Sequence, residues 1–555
     1  MVNEVRPRKS SLSEEGVSAP SATASDPPAE GPPIQFEGIE ALDSNLAPSK
    51  DQHFLNRLSI LCAGCALICD GYHNQLMGAT NLIFKQEYPE EYTSKYTTAV
   101  SNAMTVGQIL GMITFGLTCD LISRKRAIVF TTLFMVVGAI LATAAHGKTT
   151  QGMFWMIIVM RGVIGFGVGG EFPTSSAITL EAAAENERAG GNKSLKSRRG
   201  WLFILVVNLP LQFGGPLAMS CLLIVWEAAN GPNNLSTIWR VMFGIGCVWP
   251  VLVFLMRLKL VTSQLFRDGK FIDYNIPWLL AFKFYWRRLL ATCGSFLLYD
   301  MIVQPNGVFS SLIIKDAVDG GDTKTTMEWQ LLLGTLTLPG IFIGAAMCEW
   351  VGRKRTMMIG FAGFLVFGVI IGAAFEQLEA ILPLFVVFYG LFQCVGHMGP
   401  GTMIGLLTTE SYATGVRGTF YALSLAFGRV GGVIGTEIFN PIKKDLGQRW
   451  TFFISAIIGA VAIVYVWLMM PNLDSRDIKY EDMRFEHYLR MHGFHGKIGF
   501  MEGDPNSSSE EDSSSDLDKQ PTEHVTAVDY DEAFFTRKDD RTFWQRVFSM
   551  DPLNI

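Results

Sequence analysis

Twelve apolar segments, divided six and six by one basic loop, constrain this chain more than any other feature. They run at about 54–80, 97–119, 126–146, 153–181, 200–226 and 238–257, then at about 287–313, 327–350, 356–375, 380–409, 416–439 and 450–470. Each approaches or exceeds the ~20 residues a helix needs to cross a bilayer. Inside hydrocarbon every backbone polar group must find its partner within the protein, so segments of this length become helices. Charged residues make up only 17% of the chain, against about 25% in soluble domains. The expected fold class is an all-α membrane protein of twelve transmembrane helices in two six-helix, pseudo-symmetric halves.

The polar stretches set the boundaries. Residues 1–52, rich in Ser, Pro, Ala and Glu, predict a disordered N-terminal tail with no apolar core of a secretory signal. Residues 53–257 form the first half, 258–286 the central loop, 287–470 the second half, and 471–555 an acidic, Ser-rich tail. That tail includes SSSEEDSSSD (Ser507 to Asp516), either a phosphorylation-rich linker or a merely solvating run. Lys and Arg cluster after segments 2, 4, 6 and 8, which places both termini in the cytoplasm. Asn234-Leu-Ser236 then lies outside as a glycosylation acceptor. The same asymmetry explains the basic loops as topology signals, so no nucleic-acid partner is expected. All nine cysteines fall in apolar segments and read as small packing residues. Cys62-x-x-Cys65 lacks third and fourth ligands, so no metal site is expected there. There is no nucleotide-binding loop either. The chain reads as a non-enzyme without a cofactor.

The halves repeat. CDLISRKR (Cys119 to Arg126) matches CEWVGRKR (Cys348 to Arg355), and the acids Asp120 and Glu349 stand 229 positions apart (349 − 120). Glu181 and Glu410 keep the same offset (410 − 181), each followed by an Arg-Gly pair, Arg199-Gly200 and Arg417-Gly418. Duplicated six-helix halves are a known transporter design. The acids of the repeat can accept hydrogen bonds from basic residues or from a facing helix end. Asp120, Arg124, Glu349, Arg353, Glu181 and Glu410 are therefore candidates for a latch on the cytoplasmic side.

Ionisable side chains inside a membrane usually face a cavity or a partner, because leaving one in hydrocarbon costs at least ~2.5 to 3.5 kcal/mol. Asp70, Glu171, Gln212, Asp300, His397 and Arg429 all lie near their segment centres, three from each half, where transporter sites usually lie. Asp70, Glu171 and Asp300 are candidate proton carriers. Asp70 can equally hydrogen-bond neighbouring helices, and Glu171 can be the fixed partner of a cation. Arg161 stands ten residues from Glu171, about 15 Å along a helix, too far for direct pairing, and suits a contact with a neighbouring helix. Arg429 matches phosphate oxygens with its guanidinium fork, or else pairs with Glu437 or an acid of another helix. His397, Gln212, Asn208, Gln304 and Asn306 can bind a ligand or satisfy one another. Gly162, Gly165, Gly167, Gly169 and Gly170 allow a neighbouring backbone to come close.

Gly116, Asp120, Ser123, Arg124 and Lys125, with the second copy Ala345, Glu349, Gly352, Arg353 and Lys354, resemble the loop signature of the major facilitator superfamily. Arg161 to Glu171 followed by Pro173, Asp70 in CDGYHN, and Asp300 after Gly-Ser are similar to its phosphate:proton symporter branch. The segment around Tyr299-Asp300, with Pro305 and the Phe-Ser-Ser run, looks closest to fungal glycerophosphodiester permeases. Phe172, Phe296, Gln304 and Gly401 depart from what phosphate carriers place there, which implies a roomier pocket for a larger ligand. The resemblance implies a proton-coupled symporter in the plasma membrane that imports a phosphate-bearing organic anion, such as glycerophosphoinositol or glycerophosphocholine, with Tyr299 among the substrate-binding residues. Inorganic phosphate or another organic anion, export of a secondary metabolite, and a non-transporting nutrient sensor remain the alternative readings. The expected partners are a small anionic substrate, protons and the lipid bilayer.

Overall fold

Each apolar segment becomes a helix in the computed structural model, which describes residues 50–121, 124–189, 199–257, 276–318, 322–473 and 478–494. The side chains at 50–63, 121–125, 181–199, 440 and 474–480 lie outside the description. The first half is built from α1 (Lys50–Glu87), α2 (Ser94–Leu121), α3 (Arg124–Thr143), α4 (Thr150–Ala189), α5 (Arg199–Ala228) and α6 (Leu235–Arg257). The second is built from α7 (Trp278–Val308), α8 (Thr323–Trp350), α9 (Arg353–Ala373), α10 (Leu382–Glu410), α11 (Arg417–Asp445) and α12 (Arg449–Met469). Among the described residues, ten helices are long and apolar enough to cross a membrane on those grounds alone. An eleventh is α7 with the short helix Ser310–Ala317, into which it bends by 47°. The twelfth is α1, which carries Asp70, His73 and Asn81. All three are buried, in a helix packed on α5 and α6.

Two breaks matter for the site. Pro305 removes a backbone donor near the end of α7, and the chain turns just beyond it. In α10 the stretch His397–Gly401 widens into a π turn around Pro400, an irregularity that often marks functional positions.

Within the first half, α2 and α4 meet backbone to backbone. A Cβ on Gly107 would lie 2.1 Å from the Gly162 carbonyl oxygen, and one on Gly165 would lie 2.1 Å from that of Met104. The glycine run of α4 is thus a close-approach surface, as its sequence suggests. The halves are joined chiefly by two helix pairs, α2 with α11 and α5 with α8.

Three expected boundaries change. The central loop expected at 258–286 ends at Pro277, because α7 begins at Trp278; residues 258–275 lie outside the description. The C-terminal tail expected from 471 contains a further helix, α13 (Ile478–Met491). The N-terminal tail expected through 52 yields to α1 at Lys50. The first two errors share a cause. Charge made 278–286 and 478–491 look like solvated loop, yet each helix has one aromatic face, and Phe284 and Tyr285 pack on Phe485 and Tyr488. The charges are consumed at that contact. Arg288 bridges Glu481 at 2.8 Å, and Tyr285 donates to Glu481 at 3.1 Å. Asp482 accepts from the Thr414 amide at 2.6 Å and its hydroxyl at 2.8 Å. Burial pushes the Asp482 carboxyl above its ordinary range, and Arg417 with Thr414 pull it back.

Candidate functional site

A cavity of about 150 Å³ lies midway along the bundle, between the halves. Seven helices reach it. α1 supplies Asn74 and Gln75, α4 Phe172, and α5 Asn208 and Gln212. From the other half come Phe296, Tyr299, Asp300, Gln304 and Asn306 on α7, Phe364 on α9, Gln393 and His397 on α10, and Arg429 on α11. Its lining therefore holds one acid, one guanidinium, several carboxamides and several aromatic rings. A larger apolar groove, about 510 Å³, lies on the flank between α2 and α4. It offers Asn102 as its single polar side chain, and carries none of this chemistry.

Asp300 and Arg429 form the charged centre. Arg429 Nη1 stands 3.3 Å from Asp300 Oδ2, and Arg429 Nε is buried without a hydrogen-bond partner among the described residues. Taking two charges out of water costs several kcal/mol per ion, so such a pair survives only while each member compensates the other. The carboxamides are partly committed. Gln212 donates to Thr337 of α8 at 2.8 Å, and Asn306 donates to the Ile302 carbonyl at 2.7 Å. Gln393 also lines the cavity, four residues along α10 from Tyr389.

The cavity is small compared with the ~300–1,000 Å³ of ordinary ligand pockets. The residues at 172, 296, 304 and 401, expected to make it roomier, do not all do so. A Cβ on Gly401 would lie 2.5 Å from the Tyr299 hydroxyl, so the space left by that glycine is filled by Tyr299.

The remaining predicted residues lie elsewhere. Asp70 is fully buried behind the lining. Its Oδ1 accepts from Asn74 Nδ2 at 2.7 Å and from Gln108 Nε2 at 3.5 Å, while its Oδ2 has no hydrogen-bond partner among the described residues. Glu171 does not reach the cavity. It is clamped by both terminal nitrogens of Arg257 and by the Ser175 hydroxyl, and Thr131 adds a fourth donor at 3.2 Å. Arg257 also donates to Thr132 at 2.5 Å. This network ties α3, α4 and α6 together. Arg161 donates to the Val100 carbonyl of α2 at 3.0 Å, the neighbouring-helix contact its spacing suggested.

The repeated motifs sit together at one end of the bundle. Asp120 accepts from the Thr419 amide at 2.7 Å and its hydroxyl at 2.9 Å, at the start of α11. Glu349 accepts from the Trp201 amide at 3.3 Å, at the start of α5. Each acid thus caps a helix of the other half, where unpaired N–H groups and the helix dipole favour negative charge. Arg353 bridges Glu410 at 3.0 Å within the second half. The side chains of Arg124 and Glu181 lie outside the described residues. The halves are bridged at the opposite end as well. Asn102 donates to Glu437 at 2.7 Å, Thr323 to Gln86 at 3.0 Å, and Lys324 bridges Glu227 at 2.5 Å. Asn234 is exposed at that end, in the turn Gly231–Asn234.

Sequence reasoning missed Asn74, Gln75, Gln393 and Arg257. The first three were visible as polar residues in the middle of apolar segments. Arg257 was taken for a topology charge because it stands at the edge of the basic loop.

The family model described as Sugar (and other) transporter matches residues 60–267 and 280–483. The chain is 47% identical over 480 residues to glycerophosphoinositol permease 1 of Candida albicans, covering 85% of this chain and 90% of that one. It is 43% identical over 461 residues to glycerophosphoinositol transporter 1 of Saccharomyces cerevisiae, covering 83% and 87%. Among solved structures, the major facilitator superfamily proton:xylose symporter XylE bound to 6-bromo-6-deoxy-D-glucose superposes with a TM-score of 0.63. That match has 16% identity and covers 78% of this chain and 99% of that one, a likeness of fold.

Proposed function

The chain belongs to the Sugar (and other) transporter family of the major facilitator superfamily, and from that premise we propose that it imports a glycerophosphodiester, such as glycerophosphoinositol or glycerophosphocholine, together with protons. It is a multi-pass membrane transporter and not an enzyme. The names of the two yeast relatives support the substrate class. We place the protein in the plasma membrane, with both termini and the motif-bearing end in the cytoplasm, an orientation that the Lys and Arg distribution supports.

The observation that carries the reading is the Asp300–Arg429 pair facing a cavity lined by both halves. With the cavity empty, Arg429 is neutralised by Asp300. A proton on Asp300 removes that partner and leaves Arg429 to grip a phosphodiester through its planar fork. The phosphodiester carries one negative charge and the proton one positive charge. With glycerophosphoinositol, which carries no other charge, the cavity is therefore neutral both empty and loaded, and the halves rock about it without moving a bare charge through low dielectric. The carboxamides of Asn74, Gln75, Asn208, Gln212, Gln304 and Gln393 both donate and accept, which suits the hydroxyls of glycerol and inositol. Tyr299 and His397 complete the wall. Asp70, whose second oxygen has no partner among the described residues, is the second candidate proton site. Glu171 is better read as the fixed counter-charge of Arg257.

The test is uptake in a yeast strain lacking its own glycerophosphodiester and phosphate carriers. Labelled glycerophosphoinositol, glycerophosphocholine and phosphate are offered separately, with and without a protonophore. Protonophore-sensitive uptake of a glycerophosphodiester is expected. Uptake of phosphate alone, or uptake indifferent to the protonophore, refutes the proposal.

A further inference from the structure

The end of the bundle opposite the repeated motifs carries a like-charged pair that the cavity does not use. Lys85 stands in the last turn of α1, and Lys315 stands in the short helix Ser310–Ala317 that continues α7 beyond its bend. The two are close enough to act on each other's charge, and Asp316 and Asp322 act on Lys315 with the opposite sign. Neither makes an ion pair among the described residues. The nearby acids are committed elsewhere. Asp316 is held by Lys443 at 2.6 Å, Glu227 by Lys324 at 2.5 Å, and Asp322 accepts from the Thr325 amide and hydroxyl at 2.9 and 2.7 Å. Glu87, two residues from Lys85, projects from another face of α1, because positions i and i+2 on a helix do not face each other. Two unpaired cations therefore remain at the same mouth, Lys85 exposed and Lys315 half-buried.

Their position relative to the cavity gives the pair its meaning. Gln75 lines the cavity on α1, and Lys85 lies ten residues further along that helix, about 15 Å. Gly307 lines it on α7, and Lys315 lies eight residues further, about 12 Å along the chain of helical turns. Between the lysines and the cavity the same two helices close on each other, where a Cβ on Gly78 would lie 2.8 Å from the Ser311 hydroxyl. Gln330 adds a hydrogen bond to Ser310 at 2.6 Å. The lysines thus sit just beyond the constriction that separates the cavity from that face, one on each of the helices that form it.

We propose that Lys85 and Lys315 form an outer capture site for the phosphodiester anion, occupied before the constriction opens and before Arg429 is reached. Repulsion between the two cations is relieved when an anion bridges them, and the substrate's negative charge is concentrated at the mouth. Lysine suits this station, since its ammonium is a compact, well-hydrated charge that holds an anion without the rigid fork of arginine. The site rests on the reading above that this end faces outside and that the substrate is an anion.

The experiment separates the site from that reading. Lys315→Cys is labelled from outside intact cells by two membrane-impermeant methanethiosulfonates of opposite charge, and labelling at position 315 is read by peptide mapping. The anionic reagent is expected to react about tenfold faster than the cationic one at low ionic strength. Adding Lys85→Gln should reduce the ratio to about threefold, and excess glycerophosphoinositol should slow labelling. Equal rates, indifference to Lys85, or labelling only after permeabilisation overturns the proposal. This readout needs no transport, so a carrier that takes up some other anion would refute the substrate assignment and leave the site standing. In uptake assays the Lys85→Gln/Lys315→Gln variant should raise KM about tenfold at low salt with an unchanged maximal rate, and the difference should shrink above about 0.15 M salt as screening takes over. The Lys→Arg pair should restore the KM. An unchanged KM, or a loss of maximal rate that the arginines do not restore, overturns it as well.

Discussion

Asp300→Asn gives the sharpest test of how charge is balanced at the cavity. The amide imitates the protonated acid in shape and neutrality, so Arg429 loses the partner it holds at 3.3 Å. Loaded with an anionic phosphodiester, the variant cavity is again neutral, and the halves should exchange substrate across the membrane nearly as fast as before. Empty, it carries an uncompensated guanidinium. Breaking a buried pair by removing one partner costs about 3–5 kcal/mol. If that cost falls on the return of the empty carrier, the step slows by at least about a hundredfold, since each 1.4 kcal/mol is worth a factor of ten. Purified protein in proteoliposomes separates the two processes. Counterflow, with unlabelled glycerophosphoinositol inside and labelled outside, should stay within about threefold of the wild type and lose its dependence on external pH. Net uptake into empty vesicles driven by a proton gradient should fall at least about a hundredfold. Equal losses in both assays would mean that Asp300 serves binding or folding, and surviving proton-driven uptake would remove it from the coupling step.

Four further outcomes are expected. Glu171→Gln leaves Arg257 buried without a counter-charge and should lower stability by about 3–5 kcal/mol, read as a fall in melting temperature of the purified carrier, while Glu171→Gln/Arg257→Met should recover most of it; failure of the second change to rescue would point to a role beyond structure. Gly401→Ala forces a methyl against the Tyr299 hydroxyl and should cost about 1–3 kcal/mol, relieved by adding Tyr299→Phe, with thermal stability and substrate KM both measured. Gln393→Leu removes a carboxamide from the cavity wall, and should raise KM for glycerophosphoinositol about tenfold and for glycerophosphocholine less, in side-by-side uptake. At the start of α8, the Thr325 hydroxyl and amide hold the Asp322 carboxyl below its ordinary range; its contribution is present above the unfolded value of about 3.9 and lost as pH falls through the depressed one, so Asp322→Ala should speed hydrogen exchange in the first turn of α8 about fivefold at neutral pH, with the gap closing in acid.

The fold was legible because its determinants are local. Apolar length defines a spanning helix wherever it occurs, and the repeated Asp120 and Glu349 motifs announced the two halves before any contact was known. The receiving ends of those acids, Arg199-Gly200 and Arg417-Gly418, were also marked in the chain. The site was legible only as a set of residues. Asp300 and Arg429 each stood out, but they are 129 positions apart, and nothing in the chain favoured this pairing over Arg429 with Glu437. Glu437 in fact takes Asn102. Arg257 was hidden because a basic residue at a helix end has a sufficient topological explanation, although 86 positions earlier Glu171 requires it. Gly401 was misread because a missing side chain implies space only if no neighbour fills it, and Tyr299 does. Helix α13 escaped because average hydropathy does not register a charged helix with a single aromatic face.

The seam between α2 and α4 has a mechanical consequence. Where Gly107 and Gly165 bring main chain against main chain, there is no layer of side chains whose rotamers can adjust to let one helix slide past the other. Sliding would require carbonyl oxygens to ride over one another, so that seam resists shear. It behaves as a stiff spar running the depth of the first half. Displacement is therefore delivered to the edges of that half, to α2 against α11 and α5 against α8, and a small tilt of the spar moves both of its tips in opposite senses. One face then loosens as the other tightens, which is the motion a carrier needs if it is never to stand open on both sides.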